Sequence, residues 1–199
     1  MFLLMAMLAS GSAAAATVPE ALTASYTAET AGSYEAALKA LDGLQATGDV
    51  GYVVALRRGW LLYLAGRYAD AAQAYGLAVT LKPDSVEARL GASLPLMALR
   101  RWSEAAAACE AALKLEPGSY LAESRLAWVL FSQGRFAEAA ARYEGVVRRY
   151  PSDVDMRAGL AWSWLKLGKS AEARAAFQWV LQVAPAHASA KEGLAAAGG

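Results

Sequence analysis

Pro83, Pro117, Pro151 and Pro185 stand 34 residues apart each time. A fixed period of that length confines a chain to architectures that stack one small unit upon itself, because a single unit cannot bury its apolar face alone. The same period links Gly32, Gly66, Gly134 and Gly168, with Arg100 at the intervening place. Two residues later come Tyr34, Tyr68, Trp102, Phe136 and Ser170, and three further on Ala37, Ala71, Ala105, Ala139 and Ala173. Four beyond those stand Leu41, Tyr75, Cys109, Tyr143 and Phe177. Five registers run in parallel without an insertion.

The unit is helical. Isoleucine and asparagine are absent from the chain, and alanine and leucine dominate it. Those two head the helix-propensity scale, and β-branched strand formers are scarce. Each recurrent residue then has a physical task. Glycine between two helices permits the positive φ that ends the first. The repeated alanine marks the closest approach of the paired helices. The aromatics fill the space between successive hairpins. Proline ends the second helix by removing a donor and clashing with the preceding turn. Asp84-Ser85-Val86-Glu87 is expected to cap the next helix, with Asp84 as the cap and Glu87 three residues on, and Ser152 with Asp155 to form a weaker version.

Glycine, aromatic, alanine, aromatic and proline at these offsets resemble the tetratricopeptide repeat. The resemblance spans about 18–187 and divides it into units 18–51, 52–85, 86–119, 120–153 and 154–187, with a capping helix over 188–196. It implies an all-α fold, a right-handed superhelical solenoid of antiparallel helix hairpins. The first unit departs with Asp49 where the others have proline, and the third with Arg100 for glycine, which predicts a less relaxed turn there.

The family also implies a concave surface formed by positions 2, 5, 9, 12 and 13 of each first helix. The first four share one helical face. Position 9 reads Tyr26, Trp60, Leu94, Trp128 and Trp162; position 12 reads Glu29, Tyr63, Met97, Phe131 and Leu165. Position 5 reads Leu22, Leu56, Leu90, Ser124 and Ala158. The candidate groove is therefore Tyr26, Leu56, Trp60, Tyr63, Leu90, Leu94, Met97, Trp128, Phe131, Trp162 and Leu165. An exposed apolar strip of that length marks a binding site on a soluble protein. Three readings stay open: a groove for an apolar or amphipathic partner, side chains that pack on one another and thicken the core, and self-association through the strip. Trp102, the repeat aromatic of the third unit, is expected to be buried.

Other classes find less support. The charges nearly cancel, 19 Lys+Arg against 18 Asp+Glu, so no basic surface for nucleic acid is expected. Some tetratricopeptide domains clamp a chaperone's terminal carboxylate with Asn, Lys and Arg. This chain has no asparagine, and its groove cations reduce to Arg57, Arg125 and Lys166. One histidine and one cysteine cannot assemble the usual nitrogen–sulfur metal cluster, so no cofactor is expected. Cys109 reads as a small buried hydrophobe among alanines, and His187 as a residue of a surface turn. Catalytic motifs are missing. The expected function is a non-enzymatic scaffold binding a protein or peptide. A carbohydrate-binding role in polysaccharide export or biofilm secretion is the alternative, because tryptophan faces stack on sugar rings.

Residues 1–16 read as a targeting segment. Phe2–Ala9 form an apolar core, a Ser/Gly break follows, and Ala13–Ala16 offer a cleavage site. The core is shorter than the roughly 20 residues that span a bilayer. No Lys or Arg precedes it, so an uncleaved anchor stays open beside a cleaved signal. A periplasmic or secreted location is expected.

Overall fold

A computed structural model describes residues 16–44 and 47–198. The expected targeting segment lies outside them except for Ala16. The described residues are helical, with α1 at Val18–Thr30, α2 at Tyr34–Lys39, α3 at Gly48–Leu64, α4 at Tyr68–Leu81 and α5 at Val86–Ala98. They continue with α6 at Trp102–Leu115, α7 at Tyr120–Ser132, α8 at Phe136–Arg149, α9 at Val154–Lys166, α10 at Ser170–Val183 and α11 at Ala188–Gly198. Among them no helix is long and apolar enough to cross a membrane.

Each helix packs on the next in sequence, which makes a stack of antiparallel hairpins. Odd-numbered helices also touch the next odd one, from α3 to α5 and on to α11, while consecutive even-numbered helices make no comparable contact. The odd helices therefore crowd the inside of a curve and the even ones splay on its outside. That asymmetry creates the concave face of a solenoid.

Helices α5, α7, α9 and α11 begin at Val86, Tyr120, Val154 and Ala188, the first residues of their units. The first unit differs. Its α2 stops after Lys39 and turns at Ala40–Gly43, and, with Asp49 in place of proline, α3 starts early at Gly48 and takes Asp49 into its first turn. The N-caps also sit one residue later than expected. The Ser85 hydroxyl, not Asp84, accepts from the Ala88 N–H at 3.0 Å. The Asp153 carboxylate, not Ser152, accepts from the Met156 N–H at 3.0 Å. Proline and the residue after it bring the chain round, which moves the cap to the second position after the proline.

Those caps tie neighbouring units together. Tyr52, opening the second unit, bonds through its hydroxyl to Ser85 Oγ at 2.7 Å. Tyr120, opening the fourth, donates to Asp153 Oδ2 at 2.6 Å. That hydrogen bond to the carboxylate, with burial adding to it, pushes the Tyr120 phenol up to about 12. His187 plays the same part for α11. Its Nδ1 accepts from the Ala190 N–H at 3.1 Å, and its Nε2 lies 3.1 Å from Asp155 Oδ1. With only 14% of its side chain exposed, it closes the expected turn as a capping residue bonded on both nitrogens.

Inside, Ala37, Ala71, Ala105, Ala139 and Ala173 are fully buried. The aromatics four residues later reach into the next unit and meet glycine there. The Tyr75 ring lies between Gly59 and Gly91, Tyr143 packs on Gly159, and Phe177 on Gly193. A methyl group on Gly159 would stand 2.6 Å from two carbons of the Tyr143 ring, closer than packed carbon atoms approach. Cys109 fills the equivalent place in the third unit. It is buried, and burial pushes its thiol pKa up, away from the reactive thiolate.

Candidate functional site

Two clefts open along the inner face. The first, of about 860 Å³, is bounded by Tyr26 and Glu29 of α1, Leu56, Arg57 and Trp60 of α3, Leu90 and Leu94 of α5, and Leu121 and Arg125 of α7, with Tyr75 in its lining. The second, of about 630 Å³, is bounded by Met97, Arg125, Trp128, Phe131, Met156 and Trp162, with Tyr143 in its lining and His187 and Ser189 at the α11 end. Arg125 belongs to both.

Nine of the eleven groove candidates line these clefts: Tyr26, Leu56, Trp60, Leu90 and Leu94 the first, and Met97, Trp128, Phe131 and Trp162 the second. Tyr63 and Leu165 line neither; both pack against the core. Tyr63 is stacked on Trp60 at 6.0 Å and tilted on Tyr68 at 5.6 Å. Leu90 lines the first cleft but is a buried core residue, joined to Ala112 and Ala122.

Exposure separates the position-9 residues. Tyr26, Trp60 and Trp128 are 54%, 37% and 43% exposed, so these three rings present free surface on the concave side. Trp162 does not. Its indole N–H donates to Ser189 Oγ at 2.9 Å, and its ring stands edge-on to Phe177 at 5.4 Å. The capping helix seals that end. Trp102, expected to be buried, is only partly so; its ring packs edge-on against Trp128 at 5.2 Å.

Polar groups set the first cleft. The Glu29 carboxylate accepts from the Trp60 indole N–H at 2.7 Å and from Arg57 Nη1. Arg57 is 6% exposed, donates Nε–H to Ser25 Oγ at 3.1 Å, and lies 3.8 Å from the centre of the Tyr26 ring. Its Nη2 is buried without a partner. Burial alone would raise the Glu29 pKa, but the hydrogen bonds from Arg57 and Trp60 outweigh it and hold the carboxyl below its ordinary value. The second arginine is arranged differently. Arg125 Nη1 donates to the Leu90 carbonyl at 2.7 Å and to Ser93 Oγ at 3.2 Å. Burial lowers its pKa. Among the described residues no carboxylate pairs with it.

The depth of the two arginines was not evident from the groove positions, because each occupies position 6, beside the concave face. A size rule would have found them. Sixteen residues after each repeat aromatic stands glycine, at Gly91, Gly159 and Gly193. Sixteen after the smaller Leu41 and Cys109 stand Arg57 and Arg125. The arginine takes the place next to which no ring needs room.

Neither cleft has asparagine or glutamine in its lining, so the amide-rich rim of a sugar site is missing.

The model of the tetratricopeptide repeat matches residues 22–86, 56–120, 90–154, 124–177 and 159–198, covering most of the chain in overlapping pairs of units. No curated protein matches the sequence. Among solved structures, a tetratricopeptide repeat protein from Parabacteroides merdae ATCC 43184 is similar with a TM-score of 0.83 at 16% identity, over 90% of this chain and 72% of its own. MamA from Desulfovibrio magneticus RS-1, from residue 41 to its end, gives 0.78 at 16% identity, over 86% and 97%. A thermophilic TPR protein from Thermus thermophilus gives 0.63 at 18% identity, over 91% and 98%. At such identities the likeness is one of fold.

Proposed function

The chain belongs to the tetratricopeptide repeat family, and from that premise we propose that it is a non-enzymatic scaffold whose concave face holds an apolar or amphipathic segment of a partner protein. Repeats of this family serve generally as protein-interaction scaffolds. The observation that carries the finer reading is the exposure of Tyr26, Trp60 and Trp128 on one face, two of them rigid indoles beside open clefts. Aromatic side chains of this kind supply large contact area at little entropic cost and dominate the affinity of interfaces.

Trp128→Ala tests it. The variant is expected to weaken partner binding by about 2 kcal/mol or more while leaving the melting temperature close to wild type, because the ring is largely outside the core. A large stability loss of about 3–5 kcal/mol, with affinity following only through unfolding, would mean that the strip is core. Iodide quenching of tryptophan fluorescence gives an answer before any partner is known, since Trp60 and Trp128 should be reached by the quencher. Sedimentation at increasing concentration separates a foreign partner from a second copy of the chain.

The proposal extends to the cell envelope as the place of action, supported by the apolar Phe2–Ala9 and the alanine run ending at Ala16. Export with cleavage predicts a mature N-terminus near Thr17. Recovery of Met1 from a soluble cytoplasmic fraction would overturn it.

A further inference from the structure

The surroundings of Arg57 recur 68 residues later with two members changed: Leu94 stands in the place of Tyr26, and Met97 in that of Glu29. Arg57 and Arg125 both stand at position 6 of a first helix, and each donates to a buried serine at position 8 of the preceding unit, Ser25 or Ser93. Trp60 and Trp128 follow three residues after each arginine. At position 12 of the preceding unit the two sites part: Glu29 neutralises Arg57, while Met97 stands where a counter-charge for Arg125 would be. Lacking it, the guanidinium turns Nη1 onto the Leu90 carbonyl. Its pairing is with neutral oxygens only.

Resting on the groove reading above, we propose that Arg125 anchors the side-chain carboxylate of an aspartate or glutamate in the bound segment, flanked by apolar residues that lie against Trp128 on one side and Leu94 on the other. The charge is complementary, since a half-buried guanidinium without an acidic partner gains most from a carboxylate that arrives with the ligand. A side chain fits better than a chain terminus, because Arg125 lines both clefts and the segment would run past it from one to the other. Glu87 and Glu116 line the first cleft as well. They disfavour acid elsewhere along it and confine the carboxylate to the neighbourhood of Arg125.

The test uses the full chain and a random library of hexapeptides acetylated at one end and amidated at the other, so that only side chains carry charge. Bound peptides are expected to contain Asp or Glu beside aliphatic or aromatic residues. Changing that acid to its amide should weaken binding at least tenfold on the wild type. Arg125→Gln should erase the difference, and Arg125→Lys should retain part of it. Met97→Glu installs the equivalent of Glu29; it should also erase the preference, and a melting temperature at or above wild type would show it folded. Trp128→Ala should weaken acid and amide forms alike. Acid and amide binding within twofold of each other on the wild type, or a preference that survives Met97→Glu, would overturn the role of Arg125 and leave the groove standing. Peptides indifferent to Trp128→Ala, or no bound peptide at all, would overturn both.

Discussion

Where α1 meets α3, Arg57 is closed in by Glu29, Ser25 and the Tyr26 ring; where α5 meets α7, Arg125 has Ser93 and a backbone carbonyl but no carboxylate. The two junctions share backbone, repeat position and tryptophan. They differ in whether the charge is settled within the chain. A buried ion pair depends on both partners, and deleting one strands the other. The guanidinium at the second junction has no such dependent. The first junction is thus a structural clasp, and the second is left available to a ligand.

The sharpest way to break this comparison is to delete each arginine in turn. Arg57→Met is expected to destabilise the fold by about 2 kcal/mol, below the scale for breaking a fully buried pair because the Glu29 side chain stays partly exposed. Arg125→Met removes hydrogen bonds to neutral oxygens only and should cost about 1 kcal/mol. Urea unfolding of the two variants side by side gives the ratio. Equal losses would mean that Glu29 is irrelevant to the clasp.

A second test exchanges ring room for a methyl. Gly159→Ala drives a β-carbon into the Tyr143 ring and should cost about 2 kcal/mol, within the range for overpacking. A Tyr143→Cys background copies the Cys109 setting and is itself destabilised by loss of the buried ring. There Gly159→Ala should cost less, a partial rescue of that one substitution, if ring and glycine are paired by size. Lack of any rescue would show the sixteen-residue rule to be coincidental.

These tests also mark what the sequence made legible. The stack, its turns and its helix starts followed from glycine, alanine and proline, residues whose backbone effects are local and alike in any context. Nine cleft residues followed from the concave positions that the family resemblance implies, four of which share a helical phase. Phase could not tell Leu90, Tyr63 and Leu165 from their neighbours, because depth depends on what the adjoining unit presents. It could not tell Trp162 from Trp128 either. One is covered by the capping helix and bonded to Ser189, and the other is open. The early start of α3 followed only loosely from the missing proline, since losing a stop signal does not say where the next helix begins.

Acid should act on the first junction and spare the second. The Glu29 pKa is lowered in the folded state, so its pairing stabilises fully above the unfolded carboxylate value of about 4.3. That contribution disappears as pH falls through the folded value. Exposed carboxylates such as Glu104 and Glu138 shift the same way, so the informative quantity is the difference between wild type and Glu29→Gln. Stability of the variant should fall less steeply on acidification, and amide exchange in wild type should quicken in α1 and α3 before α5 and α7. Identical acid profiles for the two proteins would remove Glu29 from the account.

The smallest expected effect lies three residues beyond the residue that distinguishes the junctions. After Glu29 the chain turns at Gly32, with φ +71°; after Met97 it turns at Arg100, with φ +57°. The backbone bonds are equivalent, Gly32 N–H to the Glu29 carbonyl at 2.7 Å and Arg100 N–H to the Met97 carbonyl at 3.0 Å. The left-handed conformation costs an L-residue roughly 1 kcal/mol or more, and glycine avoids that cost. Glycine also gives the unfolded chain more freedom, which takes back about half. Arg100→Gly should therefore stabilise the protein by about 0.5 kcal/mol, and Gly32→Arg should destabilise it by a similar amount, both read from urea midpoints. The Arg100 guanidinium lies 5.9 Å from the centre of the Trp102 ring, near the outer limit of a cation–π contact, so losing it should offset only a small part of that gain. A destabilised Arg100→Gly would instead show that the arginine is kept for its hold on Trp102, and through it for the placing of Trp128 beside Arg125. In that event the strained turn belongs to the open junction as much as Met97 does.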